Sequence, residues 1–477
     1  MRSRAQVGIV YAPGMATILA AIPDAFDVLE IEPQTLSPAL AGRSGRAPGA
    51  GDLAEVLAFP HPKVVHSVGM PFGNRARPTP AEVGALRFAA DTVDSPWVSD
   101  HLSFNGGRAG FAGFLLPLPQ GRGAVRHAAA RIGWLRDRLG RDVAFETGVN
   151  YLRPQPGEMP DGEFLAAVAE AADCGILLDL HNLWTNERNG REPVARVVDR
   201  LPLDRVVEVH LADGHERAGY WVDAHSGLTS GELLDIAATV VPRLPNLRLI
   251  TFEMGPDYVP AAGLGPDDLA RHLVDLRALA AAAAPPGPPG RPARRGRREC
   301  AHRRGPGLDA WRDELTLLVN GHPAPAAATD TLRADPGLGL YRELVAVARS
   351  GALVGAAPLT ARLLVLLGGP GRLESVVEGF RAHSRPSLLP DDELRGLDDY
   401  LAAHPEPDLG VAHEVLRYER ALLRTAADGR PRTVTFTTDP TALLPAIGAG
   451  RAPAPAEDDD PTIYELTIVS RPVESGH

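Results

Sequence analysis

Cysteine is almost missing from this chain of 477 residues: Cys174 and Cys300 are the two present, far apart in sequence. That excludes a disulfide framework and any cysteine-rich zinc or iron–sulfur site. No uninterrupted apolar run reaches membrane-spanning length, so no membrane partner is expected. The N-terminal MRSRAQVGIVYAPG lacks the continuous apolar segment and small-residue cleavage site of a signal peptide. Positive charge is in deficit, 49 Lys and Arg against 60 Asp and Glu, and the net charge of -11 argues against broad nucleic-acid binding. Lysine is scarce beside arginine, and the abundance of Ala, Pro, Gly and Arg reads as a genome-composition effect. A soluble cytoplasmic protein is the expectation.

What the chain does have is a series of short apolar runs, each with a histidine or carboxylate near its C-terminal end. They are VGIVY (7–11), VLEIE (28–32), VVHSV (64–68), WVSDH (97–101), VAFE (143–146), ILLDLHN (176–182), VVEVHLAD (206–213) and LITFE. Helical patterns separate them, such as GAVRHAAARIGWLRDRLG (123–140) and DDLARHLVDLRALAAAAA (267–284). Short buried strands alternating with helices predict a parallel α/β sheet, and eight such units match a TIM (β/α)8 barrel over residues 5–284. Residues 285–307, rich in Pro, Gly and Arg, read as a solvated linker with no aromatic platform for nucleic acid. Residues 308–477 predict a mainly α-helical second domain with a small strand pair (432–438 and 463–471) and an acidic loop at 457–461. That domain shows no catalytic constellation and is a candidate module for binding a peptide or partner.

In a TIM barrel the C-terminal strand ends converge on one mouth. His66 ends the third strand, and Gly69 and Gly73 suit a tight loop where a ligand approaches the backbone. His101 repeats the placement one strand later, with Asp100 turned to the other face. Glu146 and Glu253 close apolar runs, where an ionised carboxylate is costly unless a cation or hydrogen bonds offset it. On the sixth strand Asp179 and His181 share a face by the strand period, and Asn182 begins the loop; these three are the catalytic candidates. His210 ends the seventh strand, and Asp223 and His225 follow in its loop. Asp213 and His215 read equally well as loop hydrogen-bonding groups, and Trp184 as a wall of the mouth. The metal-ligand candidates are thus His66, His101, Glu146, Asp179, His210, Asp223, His225 and Glu253. So many imidazole and carboxylate donors without cysteine fit two or three ions of iron, manganese or zinc, bridged by Glu146 or Glu253.

The order of these motifs resembles the multinuclear-iron TIM-barrel family of peptide natural-product biosynthesis (MbnB/TglH-like), over about residues 5–280. The resemblance rests on Glu30 in FDVLEIEPQTL, on His66-Ser-Val-Gly69, Ser99-Asp100-His101-Leu102 and Glu146. Glu208-Val-His210-Leu-Ala212, the Asp223/His225 pair and Glu253 complete it. Two places depart from the family: His181 stands where Asp-x-Asn-Asn is usual, and Glu146-Thr-Gly-Val-Asn150-Tyr151 alters the segment after the fifth strand. The resemblance implies an iron-dependent oxidase, with two or three iron ions and O2 as co-substrate. Its implied substrate is cysteine in a ribosomally synthesised precursor peptide. It also implies a partner protein for peptide recognition, whose place the C-terminal domain would take in cis.

Two other classes share the residue pattern. Sugar isomerases and phosphodiester-cleaving hydrolases use barrels lined by His, Asp and Glu with divalent ions. The isomerase needs a strand-end lysine, whereas Lys63 lies at the start of its strand; the hydrolase needs a basic groove. A non-catalytic metal-binding scaffold is the third class.

Overall fold

The computed structural model describes residues 5–42, 46–283, 307–324, 330–387, 390–406, 409–452 and 462–469. Cys300, the acidic loop at 457–461 and the 285–307 linker, except for Gly307, lie outside them.

The apolar runs form eight strands: β1 (Gln6–Tyr11), β2 (Val28–Ile31), β3 (Lys63–Ser67), β4 (Trp97–His101), β5 (Asp142–Glu146), β6 (Gly175–Asp179), β7 (Val206–Leu211) and β8 (Leu249–Phe252). They close into a parallel barrel in chain order, and β1 completes the ring by pairing with β2 and β8. The TIM (β/α)8 barrel expected from the sequence is the fold. Burial on both faces explains why the strands read as continuous apolar runs: Ile9, Leu29, Val65, Val98, Phe145, Leu178, Val209 and Ile250 are fully buried. The helices between strands carry their own stop and start chemistry. Helix Pro80–Thr92 begins at a Thr79/Glu82 capping box, and helix Arg122–Leu139 ends at Gly140, whose φ of 65° a glycine adopts without strain. Because each helix runs back along the barrel, strand C-termini and helix N-termini gather at one end, the mouth.

The last barrel helix, Pro266–Ala281, carries His272 inward, its ring 4.5 Å from that of Phe252 and its Nε2 3.1 Å from Thr229 Oγ1. Burial pushes its pKa down from 6.5 to about 4. The unfolded chain therefore binds this proton at higher pH than the folded one, and stability falls as pH drops from about 6.5 to about 4. The loss from this one group amounts to roughly 3 kcal/mol. Chemical denaturation across that window should show the loss, and His272→Gln should flatten the slope; an unchanged slope would exclude His272 as its source.

Contacts divide the chain into two compact units. The first holds the barrel and also residues 308–315 and 330–340. Trp311 Nε1 donates to Pro117 O at 3.0 Å, and the Asp335 carboxylate accepts from Arg153 N at 2.9 Å and Gln155 Nε2 at 3.2 Å. The last barrel helix itself ends at Ala281. The second unit has as its main elements helices Pro358–Gly368, Pro370–His383, Pro390–Ala403 and Gly410–Asp428. The antiparallel pair β9 (Arg432–Phe436) and β10 (Tyr464–Ile468) accompanies them. Leu363, Phe380, Leu397, Leu416, Phe436 and Ile447 share its core. Helix Pro440–Gly448 was not expected, because Pro445 inside so short a run masks its helical character. Among the described residues no single helix is long and apolar enough to cross a membrane.

Candidate metal centre

The strand ends place their polar side chains in one buried cluster. Glu146, the last residue of β5, reaches between two groups of ligands. Its Oε2 lies 3.2 Å from His66 Nε2 and 3.1 Å from His101 Nε2. Its Oε1 lies 3.9 Å from His210 Nδ1 and accepts a 3.4 Å hydrogen bond from Asn182 Nδ2. His66, His101 and Glu146 have ligand atoms close enough to share one ion; so have Glu146, Asp179, His210 and Glu253. Glu146 belongs to both sets, and His210 Nδ1 stands 3.2 Å from Glu253 Oε2.

A third group lies beside them. Asp223 Oδ1 is 3.0 Å from His225 Nε2 and 3.4 Å from His181 Nε2, and His225 Nε2 is 3.5 Å from Glu253 Oε2. The loop that delivers this pair is strained: His225 has φ 50°, a left-handed conformation that costs a non-glycine residue energy and is common at functional sites. Its carbonyl, which accepts from Gly255 N at 2.9 Å, ties the loop to the end of β8.

The donor atoms fit cations better than they fit one another. Glu146 Oε2, Asp179 Oδ2, His101 Nδ1, His210 Nδ1, Asp223 Oδ1 and both ring nitrogens of His181 are buried without a hydrogen-bond partner. Glu146 Oε2 and Asp223 Oδ1 are near imidazole nitrogens yet make no aligned hydrogen bond with them. Unsatisfied buried polar atoms are rare, and lone pairs converging on a common point are what an ion needs.

Electrostatics points the same way. Burial, and then Glu146, Glu253 and Asp223, push the Asp179 carboxyl well above the usual range. Burial also disfavours charge on His101, but Glu146 and Asp100 outweigh it and hold its pKa at about 9. For Glu146 burial is outweighed by His101 and His66, which keep its carboxylate below the ordinary range. Without a cation, protons have to offset this many carboxylates, on Asp179 itself as well as on His101.

Beneath His210 lies a second layer. His210 Nε2 is 3.1 Å from Glu30 Oε2 and 3.7 Å from Glu208 Oε1. Glu208 is held by Trp97 Nε1 at 3.0 Å and by Thr251 Oγ1 at 2.8 Å. This carboxylate pair fixes the His210 ring so that Nδ1 faces Glu146 and Glu253.

One expectation is corrected. Asp179 and His181 do not share a strand face: β6 ends at Asp179, which caps helix Leu180–Arg188 by accepting from Asn182 N at 2.8 Å. His181 points to Asp223 from the first helical turn. Gly69 and Gly73 serve close packing within the chain, since a Cβ on Gly73 would strike Ser103 O and one on Gly69 the Gln34 side chain. Asp213 accepts from Gly214 N at 2.9 Å, and His215 Nδ1 lies 3.2 Å from Ser226 Oγ, both within the loop. Trp184 is buried and its Nε1 donates to Glu232 Oε1 at 3.3 Å. Glu32 was missed. Burial raises its pKa, and His66, Glu253, His101 and His225 all act on its charge. The period-two spacing of Glu30 and Glu32 in VLEIE was the available clue.

The pattern of the family described as RiPP precursor modification enzyme MbnB/TglH/ChrH matches residues 6–264. A UPF0276 protein of Chromobacterium violaceum is 35% identical over 204 residues, which cover 43% of this chain and 73% of that one. Another, from Anaeromyxobacter sp., is 33% identical over 239 residues, 49% of this chain and 83% of its own. A third, from Streptomyces avermitilis, is 32% identical over 226 residues, 45% of this chain and 44% of its own.

Proposed function

This chain belongs to the MbnB/TglH/ChrH family of RiPP precursor modification enzymes, and from that premise we propose an iron-dependent oxidase that uses O2 to modify cysteine residues of a ribosomally synthesised precursor peptide. The observation that carries the reading is Glu146, shared between two candidate ligand sets made only of imidazole and carboxylate donors. Such donors without thiolate suit iron, and one carboxylate between two sets suits ions held a few Å apart.

In this reading His66, His101 and Glu146 would hold one ion, and Glu146, Asp179, His210 and Glu253 a second. His181, Asp223 and His225 would hold a third, with Glu253 beside it. Iron bound there would pass electrons from a peptidyl cysteine to O2, the oxidant. The protein's part is positional. Asp179 Oδ1 is anchored by Asn182 N, which leaves Oδ2 for an ion, while Asn182 Nδ2 holds Glu146 Oε1. The Glu30/Glu208 pair keeps His210 oriented. His225 and His101, with side chains 36% and 17% exposed, mark the open side where a peptide thiol enters; His181 and His210 are at 0% and exclude water behind it. Residues 308–477 are the proposed peptide- or partner-recognition part, acting in cis.

Lys63 weighs against the isomerase reading: its Nζ donates to the carbonyls of Phe59 and His61 at the opposite end of β3 from the mouth.

Anaerobic metal analysis with Mössbauer spectroscopy on iron-57-loaded protein tests the proposal. Two or more coupled irons per chain, with a peptide mass change that consumes O2, support it; full occupancy by zinc or manganese after iron-replete expression sinks it. His181→Ala should lower the iron count by about one and leave the His66/His101 ion in place, as judged by metal content and spectrum.

A further inference from the structure

Away from the metal centre, the first unit contains a cationic cleft of about 540 Å³, lined by Arg75, Gly123, His127, Leu308, Asp309 and Arg312 among others. Two helices begin there. Gly123 is in the first turn of Arg122–Leu139, and Leu308 and Asp309 open Leu308–Val319, so both bring the positive ends of their dipoles to the cleft.

The side chains add what helix ends alone cannot supply. Arg312 is 1% exposed; its Nη1 donates to Asp309 Oδ1 at 3.0 Å, while Nε and Nη2 are buried without an acceptor. Arg75 Nη1 lies 3.5 Å from Asp309 Oδ2 and makes no hydrogen bond. Behind the cleft Arg131 donates from Nη2 to Asn74 O and Arg75 O, but its Nε and Nη1 meet no acceptor. Burial, and then Arg77 and Arg312, push the Arg131 pKa down to about 10. Four guanidinium groups thus act on one another, and the acids that act on Arg312 are Asp309 and Asp313. Buried cationic donors without acceptors are costly, and an oxyanion offsets them by accepting several charge-assisted hydrogen bonds at once.

We propose that this cleft is an oxyanion-binding site that takes a phosphate or carboxylate group, with Arg312 and Arg75 as its principal donors and two helix N-termini beneath it. Its place follows from the topology: Arg75 lies in the segment after β3, and helix Arg122–Leu139 begins on the mouth side of the barrel. The site therefore opens at the same end as the metal centre but shares none of its ligands, and it stands whether or not the proposed oxidation does. A phosphate would come from a small phosphorylated ligand; a carboxylate would come from an acidic residue of a peptide.

Calorimetry on the full-length, metal-loaded protein at low ionic strength separates these sources. The probes are inorganic phosphate and a short blocked peptide with one aspartate. Binding of phosphate alone assigns the site to a phosphorylated ligand, and binding of the aspartyl peptide alone to a peptide carboxylate. In either case Arg75→Gln and Arg312→Met should each weaken binding about tenfold or more. Arg75 is partly exposed, so its variant tests the site even where Arg312→Met fails to fold; unchanged metal content reports folding. No binding of either probe at millimolar concentration, or binding that neither variant weakens, overturns the assignment.

Discussion

Glu146→Gln should strip the barrel of at least two ions and lower peptide turnover by more than about 100-fold, an effect larger than loss of an outer hydrogen bond around a metal. The reason is geometric: one oxygen of this carboxylate faces His66 and His101, and the other faces His210 and Asn182. An amide of the same shape keeps one acceptor oxygen, but it replaces the other with an N–H group that repels a cation. Metal content and peptide mass shift, measured on the same preparation, check this. Full metal occupancy in the variant would refute Glu146 as the shared ligand, whatever happens to turnover.

Removing metal from the native protein should have the second-largest effect. Each ion held at a hundredfold over its Kd stabilises the fold by about 2.7 kcal/mol. Two ions then account for a fall in Tm of about 10 °C or more in a barrel of this size. The physical source is the mouth itself, where Glu146, Asp179, Glu253 and Asp223 are brought together with buried atoms that no hydrogen bond satisfies. Scanning calorimetry before and after chelation, with restoration on adding ferrous iron back under anaerobic conditions, is the measurement. A Tm that does not move on chelation would mean that the cluster is satisfied by protons alone.

The barrel was legible in the chain because parallel strands buried on both faces have to be apolar throughout, so VVHSV or VAFE stands out against its helical surroundings. The candidate ligands at strand ends were legible for the complementary reason: a carboxylate or imidazole that closes such a run is carried to the mouth by topology alone. Glu146, His66, His101, His210 and Glu253 were found this way. The same reasoning failed where the local element changed. The strand period was carried two residues too far past Asp179, because Asp179 caps a helix, and His181 therefore reaches Asp223 from a helical turn. Glu32 was passed over although it closes the run VLEIE as Glu253 closes LITFE, each one residue beyond its strand.

The sequence by itself determined the barrel, its strand order and the identity of most donors, since these depend on local hydrophobic patterning and on a topology with one mouth. Tertiary structure alone decided which donors meet: that Glu146 is shared, that Glu30 and Glu208 lie beneath His210, and that His181 joins the Asp223 pair. It alone also assembled the cationic cleft from Arg75, His127 and Arg312. Side chains separated by long stretches of sequence are brought within a few Å only by packing, and no periodicity in a single segment records such a meeting.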